Sequence, residues 1–117
     1  MSKFKLKHKF NAIRCEYDGQ KFPSLLEKRC YIVLKKLRES GKILFFLQQI
    51  PFHIGGGKKH FVDFLVFTPS GALFIESKGR DLEVGKLKRL IASDLNNLTI
   101  HVVKDCKELY PLIEEHQ

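Results

Sequence analysis

Apolar residues recur along this chain with periods that change, and the changes divide it into elements. From Pro23 to about Glu39 they return at helical spacing: Leu26, Cys30, Val33, Leu34 and Leu37 define the buried stripe of a helix. Ser24 stands where a cap would, and Gly41 lies just beyond the end. Lys42 to Ile54 is apolar and aromatic apart from Gln48, Gln49 and His53, and predicts a strand. Its Pro51 lacks the N–H that a central strand uses, which points to an edge position or a bulge. His60 to Lys78 reads as a β-hairpin, two runs rich in Val, Phe, Ile and Leu divided by Thr68-Pro69-Ser70-Gly71. Helical spacing resumes from about Val84 to Asp94, with Leu87, Leu90, Ile91 and Leu95 expected inward and Lys86, Lys88 and Arg89 outward. A short β-branched strand, Leu98 to Val103, precedes a last helix that begins at Lys104 or Asp105, with Leu109, Leu112 and Ile113 as its apolar face. Near the start, Ile13 to Tyr17 and Gln20 to Phe22 flank Asp18-Gly19, a two-residue hairpin signal expected to cover the first helical turn.

These elements give an α/β (α+β) fold with a mixed sheet, in one domain of residues 1–117 with a basic N-terminal arm over residues 1–14. The chain is long enough for one modest core and has 10 Phe with which to fill it. No apolar run approaches the ~20 residues of a membrane span, and no signal-peptide core follows the basic start. Cys15, Cys30 and Cys106 have no metal-ligand spacing and suit free thiols, so a cytoplasmic location is expected.

Charge changes the picture from a generic domain to one with a polyanionic partner. With 21 Lys and Arg against 13 Asp and Glu the net charge is +8, and nucleic acid is the partner such an excess favours. An anionic membrane is the runner-up, but no long basic amphipathic helix with an aromatic face supports it. Lys5, Lys7 and Lys9 alternate with apolar residues, a pattern that suits either an edge strand or an arm tracking phosphates. Lys58 and Lys59 follow Gly55-Gly56-Gly57 in a basic turn; the phosphate-binding spacing of a P-loop is missing there.

Three charges interrupt the central hairpin. A two-residue Pro69-Ser70 loop would pair Thr68 with Gly71, set partners to sum to 139 and place Asp63 opposite Glu76. Facing carboxylates repel unless something compensates, and a divalent cation held by hard oxygens, Mg²⁺ or Mn²⁺, would do so, with Lys78 one pleat along on the same face. A solvated face with an ordinary Glu/Lys pair is the alternative. Glu27 also has two readings: it completes a capping box with Ser24, or it looks from the edge of its helix toward the sheet.

The αβββαβ order, Asp63 on the second core strand, Glu76-Ser77-Lys78 on the third and Glu27 in the first helix together resemble the PD-(D/E)xK nuclease superfamily, whose fold is restriction-endonuclease-like. Val62 stands where that motif has Pro. Further matches in Tyr17-Asp18-Gly19, Phe22-x-Ser24-x-x-Glu27, Gln49-Ile50-Pro51-Phe52 and Lys86-Leu87-Lys88-Arg89 look like a family of small phage and prophage predicted endonucleases, similar in layout to archaeal-type Holliday junction resolvases.

The resemblance implies a Mg²⁺-dependent DNA endonuclease, with Mn²⁺ as a substitute, acting on branched DNA as a homodimer in the bacterial host cytoplasm. It implies Asp63, Glu76, the Ser77 carbonyl and Glu27 at the metal, Lys78 beside the scissile phosphate, and Gln49 at the site. Lys5, Lys7, Lys9, Lys58, Lys59, Lys86, Lys88 and Arg89 would hold phosphates. A nicking or duplex-specific nuclease and a non-catalytic nucleic-acid-binding protein are the alternatives.

Overall fold

A computed structural model of the chain describes residues 15–116. Strands β1 (Cys15–Tyr17) and β2 (Gln20–Phe22) form a separate hairpin, closed by Asp18 and Gly19 in the left-handed region at φ 53° and 74°. Asp18 accepts from the Tyr31 hydroxyl and pairs with Lys35, so this hairpin lies along the middle of the first helix instead of over its start. That helix, α1, spans Leu25–Glu39; the Ser24 hydroxyl accepts from the Glu27 N–H at 3.1 Å and satisfies one of the free donors of its first turn.

Four strands make a mixed sheet in the order β3 (Phe45–Gly55), β4 (Lys58–Thr68), β5 (Gly71–Ser77), β6 (Ile100–Val103). The first three are antiparallel neighbours, and β6 joins β5 in parallel after the crossover helix α2 (Glu83–Asn96). As an edge strand, β3 tolerates Pro51. A 3₁₀ turn, Cys106–Glu108, leads into the last helix, α3 (Leu109–Glu115). The main core lies between one sheet face and α1 with α3; Cys30, Leu34 and Leu37 meet Phe64, Val66 and Ile75 there, joined by Leu109 and Ile113.

The Pro69-Ser70 loop closes as its sequence predicts. Thr68 pairs with Gly71 and Phe64 with Ile75, the register in which partners sum to 139. One pair further on, the regular pattern stops. Gln48 still pairs with Phe64 and Ile50 with Val62, but between them Gln49 adopts φ 53°, a left-handed conformation that costs a residue with a Cβ about 1 kcal/mol.

Beyond that point the side chains change faces. Phe46 packs on Tyr31 and Phe64 on the α1 side, whereas Phe52 packs on Phe74 and His60 reaches Glu76. Phe74 and Glu76 alternate along β5 with the α1-facing Leu73 and Ile75, so they lie on the opposite face. Val62 is fully buried yet outside the α1 core. Both strands thus reverse their inside–outside alternation together at Gln49 and Asp63, and Asp63 and Phe64 come to share a face.

Helix α2 covers part of the opposite face, rotated from its expected orientation. Arg89, Ala92 and Ser93 turn toward the sheet, while Leu87, Leu90 and Leu95 are mostly exposed. The physical reason is Glu76. It is 0% exposed, and a carboxylate so completely desolvated needs a cationic partner; Arg89 supplies one and fixes the roll of the helix.

Candidate active site

Glu27, Gln49, Asp63 and Ser77 come from four elements and meet on the α1 face of the sheet. The Gln49 amide donates to Glu27 Oε2 at 2.9 Å and to Asp63 Oδ1 at 3.4 Å, which ties the two carboxylates through one group. The other oxygen of Asp63 accepts from the Ser77 N–H at 2.8 Å and from its hydroxyl at 3.0 Å. Strand pairing between β4 and β5 has ended here, so a side chain takes the N–H that a ladder carbonyl would otherwise receive. The face reversal at Gln49 and Asp63 is what aims Asp63 toward α1 instead of away from it.

Glu27 is 6% exposed. Its backbone N–H serves the cap, but its carboxylate is turned to the sheet, so the second half of the capping box is replaced by the Gln49 contact. Burial, and then the nearby charge of Asp63, push the Glu27 carboxyl up to about 7, against the opposing pull of the Gln49 hydrogen bond and the Lys78 charge. Burial likewise raises Asp63, although the two Ser77 hydrogen bonds and Lys78 oppose the rise. Lys78 is half-buried, its charge acts on both carboxylates, and its backbone N–H is anchored on the Val103 carbonyl.

Glu76 departs from the arrangement read in the sequence. It does not share a face with Asp63. It lies on the α2 side, held by His60 and by Arg89 at 3.2 Å, and Arg89 also grips Asp81. That second grip holds the Asp81 carboxyl below its ordinary range. Among the described residues no three Asp, Glu, His or Cys side chains converge as metal ligands, so the set of Glu27, Asp63 and Glu76 is not assembled as expected. Ser77 meets Asp63 through donors, its N–H and hydroxyl, and not through the carbonyl assigned to the metal.

The chain matches no family model, no curated protein and no solved structure. The site therefore has to be read from its own chemistry. Glu27 and Asp63, two buried carboxylates with raised proton affinity bridged by the Gln49 amide nitrogen, present hard-oxygen donors of the kind Mg²⁺ or Mn²⁺ takes, from two side chains and not three.

Of the phosphate-holding candidates, Lys58, Lys59, Lys86 and Lys88 are exposed, with Lys86 3.9 Å from Glu83. Arg89 is not available for phosphates, because its side chain is 13% exposed and engaged by Glu76 and Asp81. Lys5, Lys7 and Lys9 lie outside the described residues. Sequence reasoning missed His60 and Asp81. A signal existed for both: a Glu on an apolar strand requires cations around it, and those cations require their own anions.

Proposed function

We propose that the protein is a Mg²⁺-dependent DNA endonuclease of the PD-(D/E)xK type, with a restriction-endonuclease-like core, that hydrolyses phosphodiester bonds in branched DNA such as a four-way junction. The observation that carries this reading is the meeting of Glu27 and Asp63 through Gln49, within reach of the Lys78 charge, in residues that span half the chain. Burying two carboxylates together is costly, and a site for a cation bound next to a polyanion explains why the fold sustains it.

Glu27 and Asp63 would hold the metal, whose role on binding is to polarise a phosphoryl oxygen and lower the pKa of water. The chain's own residues do the rest. Ser77 fixes the rotamer of Asp63 through two donors, and Gln49 keeps Glu27 within range of it. Lys78 stabilises negative charge that develops on the phosphate. Lys58, Lys59, Lys86 and Lys88 supply sequence-independent phosphate contacts.

A non-catalytic nucleic-acid-binding domain is the second reading, favoured by the lack of a three-ligand cluster among the described residues. One experiment separates the two: cleavage of junction, duplex and single-stranded DNA with Mg²⁺ or EDTA, repeated with Asp63→Ala and Lys78→Ala. Cleavage lost in both variants and in EDTA, with binding retained, supports the nuclease. Cleavage by Asp63→Ala equal to wild type refutes this site, and binding without cleavage of any substrate by the intact protein supports the second reading.

A further inference from the structure

We propose that Phe61 stacks on a DNA base that has lost a stacking neighbour, and that the two-stranded ribbon carrying it selects DNA whose base stack is broken beside the scissile phosphate. The proposal rests on the nuclease reading for the course of the DNA, and its test needs no cleavage.

Strands β3 and β4 stay paired as far as Gly55 and Lys58, whereas β4 and β5 part after Phe64 and Ile75. Residues 50–62 therefore run on as a two-stranded ribbon, roughly 17 Å from Ile50 to the turn. Its two faces differ. One is packed: Val62 and His60 are buried, Phe52 lies against Phe74, and His60 reaches Glu76. The other carries Pro51 paired with Phe61 and His53 paired with Lys59, and all four are exposed.

The open face is on the α1 side. Phe61 alternates with His60 and Val62 of the α2 side, and it stands two residues from Asp63, which the reversal turns toward α1. Asp63, Phe61 and Lys59 thus follow one another outward along β4 at intervals of about 7 Å.

A single exposed Phe is ordinary, and it is the position of this one that carries the argument. Phe61 is 50% exposed on a strand whose far face is fully packed, so its ring is presented from a rigid support. Inward of the ring lie the carboxylates and Lys78; outward lies Lys59. A DNA strand with one phosphate at the carboxylate site and another at Lys59 passes across the ring. Cations that hold the backbone, with an aromatic face between them to take a base, are the arrangement that binds single-stranded nucleic acid. Inside a continuous duplex both faces of every base are covered. The ring reaches a base only where the stack is interrupted, at a branch, a mismatch or an end.

Fluorescence anisotropy of labelled DNA with the full chain in EDTA tests the stacking. Wild type should bind a duplex containing a run of mismatched bases about tenfold more tightly than a continuous duplex of equal length and charge. Phe61→Ala should lose that preference. So should Phe61→Leu, which keeps apolar bulk beside Pro51 but has no ring, while Phe61→Tyr should retain it. All three should keep the wild-type circular dichroism spectrum, because the ring is already half solvated. Lys59→Ala should weaken both complexes alike and reduce the salt slope by about 1. Equal affinity of wild type for the two duplexes overturns the proposal, as does a preference that survives Phe61→Ala or Phe61→Leu. The stacking and the nuclease reading fail separately. A Phe61-dependent preference in a protein that cleaves nothing with Mg²⁺ upholds the stacking and refutes the nuclease, and Asp63-dependent cleavage without that preference does the reverse.

Discussion

Replacing Glu27 by Gln should stabilise the protein at alkaline pH while leaving it almost unchanged in mild acid. The carboxyl titrates at about 7 in the folded chain against a reference of 4.5. Between those values the folded state holds a proton that the unfolded chain has released, so stability falls as pH rises through this window and levels off above it. The interval amounts to about 3 kcal/mol at 1.36 kcal/mol per pH unit, and structural relaxation on ionisation reduces what is measured to ~2 kcal/mol. Gln cannot ionise, and its oxygen can still accept the Gln49 amide. The difference in unfolding free energy between Glu27→Gln and wild type should therefore grow from below ~1 kcal/mol at pH 5 to ~2–3 kcal/mol at pH 8. Urea denaturation followed by circular dichroism at intervals of half a pH unit measures this directly. Parallel stability curves, offset by a constant amount from pH 5 to pH 8.5, would show that Glu27 ionises at its ordinary value and that burial beside Asp63 does not perturb it.

Three other outcomes follow from the same geometry. At pH 8, millimolar Mg²⁺ should raise the unfolding free energy of wild type measured in urea, and not that of Asp63→Asn, by ~2–3 kcal/mol when the ion is at about 100 times its Kd; equal shifts in both proteins would place the cation elsewhere. Arg89→Met should cost about 3–5 kcal/mol, because Glu76 stays buried with His60 as its remaining partner, and adding Glu76→Leu should recover much of that loss in thermal denaturation. A single variant within about 1 kcal/mol of wild type would mean that Arg89 is not what holds the helix in place. Burial pushes the Cys30 thiol up to about 12, so in the native protein at pH 8 a disulfide reagent should modify Cys15 and Cys106 and spare Cys30 until the chain unfolds; fast modification of all three would contradict the core packing.

The elements were legible because each rests on local signals. Asp18-Gly19 specifies its turn, Ser24 its cap, and Thr68-Pro69-Ser70-Gly71 the register of the central hairpin, all within a few residues of sequence. The position of Glu27 was half legible, since a wheel places it at the edge of its stripe but cannot say that Gln49 will claim its carboxylate. The faces of Asp63 and Glu76 were not legible. Strict alternation places facing residues on one side, and the reversal depends on a left-handed Gln49, a residue type with no preference for that conformation. The roll of α2 was misread for a related reason. Periodicity ranks Leu87 and Leu95 above Arg89 as inward residues, yet one buried carboxylate outweighs several leucines when desolvation of charge is at stake.

The Ser77 amide proton rests on a carboxylate where its neighbours along β5 rest on carbonyls. Its chemical shift consequently depends on the ionisation of Asp63, moving downfield as that group loses its proton and the hydrogen bond gains charge. A single backbone resonance in the interior of the sheet thereby becomes a built-in indicator of the site, readable in the intact protein without label or substrate. It would register a cation arriving at Asp63 as clearly as a proton leaving it.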